Sequence, residues 1–193
     1  MGLCAEISAN IDVDCTNPIQ AGVEPLMNVI PRSTWNDASI TYNGSNPQII
    51  ENVVFASGGT GYAYYGKKKS ILAKAELIPG TFDENYKHEI NAKGFTVTAA
   101  AKQQFERLAK QQVVVIIENK YKGAAGETAY EVYGADSGLE LIQNIRDVNN
   151  VETGGAFDFI LSSSEEKHFP KTFFITDLDT TKAIVEGLFT PSV

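Results

Sequence analysis

Five consecutive β-branched apolar residues, Val113-Val114-Val115-Ile116-Ile117, constrain the fold of this chain more than any other stretch. Branching at Cβ favours extended backbone, and successive strand residues point to opposite faces. A strand that is apolar at every position is therefore buried on both faces and needs a packed layer on each side. One layer is at hand just upstream. Thr98 is suited to cap a helix on whose one face Ala101, Phe105, Leu108 and Ala109 recur at helical spacing, while Lys102, Arg107 and Lys110 keep to the other. That helix is the natural cover for one face of the strand.

The rest of the chain reads mostly as strands. Residues 1–23 are polar with little periodicity, an N-terminal arm and not core. Short β-like runs follow at Leu26–Ile30, Ser39–Tyr42 and Gln48–Phe55, separated by Pro31, Asn43-Gly44 and Asn46-Pro47 turn signals. A long extended stretch runs from Tyr62 to Ile78, beyond the usual strand length, and Pro79-Gly80 ends it. Tyr86, His88, Ile90 and Ala92 alternate with Lys87, Glu89, Asn91 and Lys93 in a half-buried strand. Beyond the buried strand, Thr128–Tyr133 is expected to turn at Asp136-Ser137-Gly138 as a hairpin into Leu139–Ile145. Further strands are expected at Ala156–Ser162 and Phe173–Ile175. Asp177 then caps a C-terminal helix that carries Leu178, Ile184, Val185 and Leu188 on one side. This order predicts an α+β fold, mainly β. No repeat or linker interrupts the 193 residues, so a single domain over 1–193 is expected.

Composition sets outer limits. With 43% hydrophobic and 21% charged residues the chain is ordinary for a globular protein. At this length it buries about 70% of its unfolded surface and needs no disulfide or metal to fold. Its net charge of −8 argues against whole-surface binding to nucleic acid. Residues 1–66 carry one base and six acids, 67–130 eleven bases and seven acids, and 131–193 four bases and eleven acids. Such a layout is either a set of solvated faces or a basic segment that meets a neighbour's acidic surface. No run of 18 apolar residues spans a membrane, and Met1-Gly2-Leu3-Cys4-Ala5-Glu6 lacks the basic and apolar regions of a signal peptide. Cytosolic synthesis is expected, with Cys4 and Cys15 as free thiols.

A search for chemistry finds no catalytic, cofactor-binding or metal-binding set, and none is expected. His88 and His168 lie eighty residues apart, and Cys4 and Cys15 lack zinc-ligand spacing. Asp12/Asp14 and Asp177/Asp179 sit in no calcium-type loop. Gly58-Gly59-Thr60-Gly61 leads into strand-like Tyr62-Ala63-Tyr64-Tyr65, whereas a phosphate loop must open a helix. Ser164-Glu165-Glu166-Lys167 matches the S-x-x-K of serine acyltransferases in letters only; Ser162–Glu166 reads as a polar turn, with Glu165 and Glu166 as solvated charges. An enzyme is not expected. What resists a bland reading is Tyr62, Tyr64 and Tyr65 running into Lys67, Lys68 and Lys69. Aromatic residues are enriched at protein interfaces and lysine runs can meet phosphates or acidic neighbours, so these six are the candidate subunit-interface residues, the alternative being a tyrosine-bearing strand that ends in a solvated turn.

Tyr130-Glu131-Val132-Tyr133-Gly134-Ala135-Asp136-Ser137-Gly138-Leu139 resembles segments of structural proteins from tailed phages that infect Bacteroidetes. So do Glu152-Thr153-Gly154-Gly155-Ala156-Phe157 and Leu161-Ser162-Ser163-Ser164-Glu165-Glu166. Asp14-Cys15-Thr16-Asn17-Pro18, with Gly22 soon after, is similar to the start of such proteins. The family resembled is that of major tail tube proteins, over the C-terminal third and the N-terminal arm. The resemblance implies a tail-tube-like β-sandwich or barrel with one flanking helix, here Ala99–Lys110, and a long β-hairpin arm over about 53–78. It implies a virion structural protein whose hexameric rings stack into the tail tube, the conduit for DNA ejection. The partners implied are further copies of the chain, other virion tail proteins, and DNA in transit without specific binding; no membrane and no cofactor enter. The chain would be made in the host cytoplasm and reside in the virion tail. An acidic lumen, common in such tubes, suits the net charge of −8, and Lys67-Lys68-Lys69 should then face a neighbour or the outside. Two alternatives stay open. One is a head–tail connector or baseplate ring protein of the same virion. The other is a monomeric β-sandwich ligand-binding module using Trp35 and the Tyr62–Tyr65 cluster.

Overall fold

A computed structural model describes residues 19–80 and 84–189. Most of the N-terminal arm expected over 1–23, including Cys4 and Cys15, lies outside the described residues. In chain order the first elements are β1 (Val23–Pro31), α1 (Arg32–Asn36), β2 (Ser39–Tyr42), β3 (Ile49–Val54) and β4 (Tyr62–Tyr65). Next come β5 (Ile71–Ile78), β6 (Asn85–Gly94), α2 (Ala99–Leu108), β7 (Val113–Asn119) and β8 (Tyr130–Tyr133). The last are β9 (Glu140–Arg146), β10 (Phe157–Glu166), β11 (Lys171–Phe173) and α3 (Leu178–Gly187). The class is α+β, mainly β.

The strands form two sheets, a seven-stranded one in the order β2-β3-β11-β8-β7-β1-β4 and a four-stranded one in the order β5-β6-β10-β9. All neighbours are antiparallel except β3 and β11. β7 runs through the interior of the larger sheet between β8 and β1, as its composition requires. Its odd positions Val113, Val115 and Ile117 pack with Met27, Val29, Ile90 and Phe159, between the two sheets. Its even positions Val114 and Ile116 pack with Trp35, Val132, Phe173 and Val185, under α1 and α3. All five side chains are buried, and burying each contributes about 1.5–3 kcal/mol. The molecule is thus layered, with the small sheet and α2 on one face of the large sheet and two helices on the other.

Both main helices start where their caps predict. Thr98 Oγ1 accepts the N–H of Ala101 at 3.2 Å, and Asp177 Oδ1 accepts that of Thr180 at 2.8 Å. α2 buries Phe105 and Leu108 against the inter-sheet core, so it covers part of the face expected for it; the small sheet covers the rest.

Four expectations need correction. Residues 53–78 do not pair as a hairpin. Val53 belongs to β3, β4 pairs with β1, and β5 pairs with β6 in the other sheet. The stretch is broken by the turn at Gly66–Ser70, where Ser70 N–H bonds to the carbonyl of Lys67 and the chain crosses between sheets. The hairpin that does form joins β5 to β6, in register from Ile71 with Ala92 to Ile78 with Asn85. Likewise Asp136-Ser137-Gly138 is not a hairpin turn. β8 lies in the large sheet and β9 in the small one, so this turn is a second corner between sheets. Ser162–Glu166 is not a polar turn but the end of β10, with a register shift between Ser163 and Glu166. Trp35 is buried against Ile30, Val53 and Leu188 and is no exposed reader of a ligand.

Candidate functional site

The candidate interface residues fall at one place, the edge of the large sheet. β4 ends that sheet, held by β1 in the register Leu26 with Tyr65 through Val29 with Tyr62. Gly66 N–H bonds to Pro25 O at 2.8 Å. Antiparallel pairs alternate between bonded and non-bonded, so the bonded pairs continue at Tyr64 and Tyr62. The N–H and C=O of Ala63 and Tyr65 therefore point outward, and among the described residues no strand meets them. Tyr64 faces inward, its ring 6.5 Å from those of Phe105 and Phe159, and burial, with Tyr62 beside it, pushes its phenol above the ordinary range. Tyr62 and Tyr65 are exposed.

Alongside this edge runs an open groove of about 700 Å³, floored by Tyr64 and Phe105 and walled by β4 on one side and α2 on the other. Its charged lining residues, Arg107 and Lys110, are both cationic. Lys67 stands at its end with Nζ 4.5 Å from the centroid of Phe95. Lys67, Lys68 and Lys69 are all exposed on the sheet-to-sheet corner, where Lys69 takes a φ of 62°. The lysine run is thus shaped by a tight turn, and its charge borders the groove.

A second cluster was invisible to sequence reading. His88 and His168 meet: His88 Nε2–H donates to the carbonyl of His168 at 2.9 Å, and His88 Nδ1 accepts the N–H of Gly134 at 3.1 Å. Both ring nitrogens are occupied, which fixes one neutral tautomer. Burial pushes this imidazole below its ordinary value, although Glu166, the His168 carbonyl and Asp136 pull the other way. Glu166, read from sequence as a solvated charge, is fully buried. Its carboxylate accepts the N–H groups of Asp136, Ser137 and Gly138 at 2.8, 3.1 and 3.1 Å. From the other side the Arg32 guanidinium donates to the carbonyls of Ala135 (2.7 Å) and Asp136. His168 Nδ1 lies 2.9 Å from Asp136 Oδ2. Burial opposes ionisation of Asp136, but the bonds from His168 and the Lys167 N–H outweigh it and hold the carboxyl below the usual range.

Apart from the His168–Asp136 pair, the bonds of this network run to backbone, and they hold the corner at 134–138 between a buried carboxylate and a guanidinium. Among the described residues no group of three His, Cys, Asp or Glu side chains is placed to hold a metal ion, and no helix is long and apolar enough to cross a membrane. Of the segments quoted for the phage resemblance, 130–139 contains the gripped corner and 161–166 contributes Glu166, while Arg32 lies outside them.

No family model, curated protein or solved structure matches the chain.

A third surface belongs with the open edges. β9 ends the small sheet, and Ile142 (59% exposed) and Ile145 (53%) project from it, followed by exposed Val148 and Val151 in the next loop. The opposite edge, β5, pairs with no described strand but β6. The outward face of this sheet pairs charges and also carries exposed Leu72 and Ile145. Lys74 meets Glu76 and Lys87 meets Glu89, each at 2.6 Å, and Lys93 stands opposite Asp158. Sequence reading did not single out this edge, because its residues alternate like those of any half-buried strand.

Proposed function

We propose that this chain is a self-assembling structural subunit whose copies join edge to edge into rings that stack as a tail tube. The observation that carries the reading is the β9 edge, which no described strand pairs and from which Ile142, at a bulge, and Ile145 project exposed. Proteins that stay single blunt such edges with charge, proline or cover, because an open apolar edge templates pairing with another chain. The small sheet offers a second open edge at β5. Pairing β9 of one copy with β5 of the next is a head-to-tail contact, which closes into a ring when its rotation divides a full turn. The outward face of the small sheet then lines the channel. Lys74 and Lys87 on it are paired with carboxylates and Lys93 stands opposite Asp158, so such a wall carries both signs yet offers DNA few free cations. That differs from the acidic lumen implied by the resemblance, and it accounts for passage without adhesion in another way.

Negative-stain electron microscopy over a concentration series, paired with light scattering, tests the proposal. Rings or stacked tubes are expected for the wild-type chain, and their loss for Ile142→Lys with Ile145→Lys. Compact monomers at every concentration would sink it.

A further inference from the structure

The groove between β4 and α2 is left over once ring closure has been assigned to the small sheet. Its shape is that of a strand acceptor. One wall is a four-residue sheet edge with outward N–H and C=O groups at Ala63 and Tyr65. Its floor is aromatic, and its rim is cationic through Lys67, Arg107 and Lys110. Such a site takes an extended segment with apolar residues on one face and acids on the other, by adding it as a further strand.

The chain contains a segment of that pattern. Ile11-Asp12-Val13-Asp14-Cys15 alternates apolar and acidic residues over five positions, and residues 1–18 carry three acids and no lysine or arginine. At five residues it is long enough to span the four of β4. The described chain also leaves on the far side. The carbonyl of Gly22 accepts the N–H of Lys120, just beyond the end of β7, so the backbone upstream departs on the β7 side of β1 and away from β4. Eighteen residues reach up to about 60 Å, enough to meet an adjoining molecule.

We infer that the β4 edge and its groove receive residues 11–15 of a second copy of this chain as an added strand. Ile11, Val13 and Cys15 face Tyr64 and α2, Asp12 and Asp14 take the opposite, solvent-facing side of the added strand, and the net negative charge of the arm is drawn to the cationic rim at longer range. The inference rests on the self-assembly proposed above and names a contact additional to ring closure.

The test uses the full chain with Cys4→Ser and Gln104→Cys, so that Cys15 and a thiol on the groove wall of α2 are the only two. Equal amounts of ¹⁴N- and ¹⁵N-labelled protein are mixed, oxidised mildly and analysed by mass spectrometry. The expected product is a disulfide from Cys15 to position 104 joining a light chain to a heavy one. Its yield should drop about tenfold in Ala63→Pro, which removes an outward N–H while leaving the β1 ladder whole. Should that variant melt early, Arg107→Glu with Lys110→Glu, both exposed, provides the same readout. A bond confined to single chains, or an inter-chain bond indifferent to these substitutions, overturns the inference. Rings without any such bond overturn it alone, whereas absence of both rings and bond removes the assembly proposal as well.

Discussion

Glu166 and Arg32 grip one backbone turn from opposite sides, the carboxylate taking three N–H groups and the guanidinium two carbonyls. A buried acceptor with three donors is costly to remove, because each orphaned N–H has lost its water as well as its partner. Glu166→Ala should therefore cost about 3–5 kcal/mol in urea unfolding, with Glu166→Gln less severe because an acceptor oxygen survives. Gly134 at the start of the same turn has a φ of 76°, and a Cβ there would lie 2.8 Å from Leu139 Cγ, so backbone freedom and space both demand glycine. His88 sets a pH dependence. Its folded-state value is depressed from 6.5, so above that pH both states are neutral and stability is full. As pH falls below 6.5 the unfolded chain binds the proton first and stability declines, until the buried imidazole itself titrates. Urea midpoints measured between pH 8 and pH 5, conditions spanning about that window, should fall for the wild type. The decline should be smaller in His88→Asn; equal slopes would remove His88 from the account.

At the scale of elements, caps and periodicity were reliable guides because they are local. Thr98 and Asp177 cap the helices expected of them, and Thr98→Ala should cost about 1 kcal/mol by thermal or urea unfolding. Phe105 matters more, since its ring lies 4.6 Å from Phe157 and 5.0 Å from Phe159 and closes the core beside the open groove. Phe105→Ala should cost about 3–5 kcal/mol. Two corners were misread for a stated reason. Gly66–Ser70 was read through as part of an extended stretch and Asp136-Ser137-Gly138 as a hairpin turn, yet each links strands of different sheets. Local sequence specifies that the chain reverses or bends; whether the next strand lies beside the last or in another layer depends on what covers the buried faces. The five-residue α1 went unread because its apolar content is Trp35 alone.

For the whole molecule, the β4 edge beyond the Gly61–Phe189 bridge and the β9 edge are left without a partner strand among the described residues. If the groove is an interface, its cationic rim makes association salt-sensitive. Raising ionic strength from about 0.01 M to about 1 M shrinks the screening length from roughly 30 Å to 3 Å. The apparent size in light scattering should then fall over that range for the wild type and respond less in Arg107→Glu with Lys110→Glu. Of the candidate site, the tyrosine–lysine stretch was legible because aromatic and cationic clustering is a property of the chain itself. The groove was not, since α2 reaches β4 only across the sandwich. The clamp of His88, Glu166 and Arg32 was equally hidden, its members lying far apart along the chain. What the amino acids settled unaided was the class of the fold, the buried strand at 113–117 and the two capped helices, all products of short-range geometry and of which residues shun water. Tertiary structure alone decided which strands share a sheet, which charges are buried and which edges stay open, because those follow from how layers stack, and stacking joins residues that no local pattern relates.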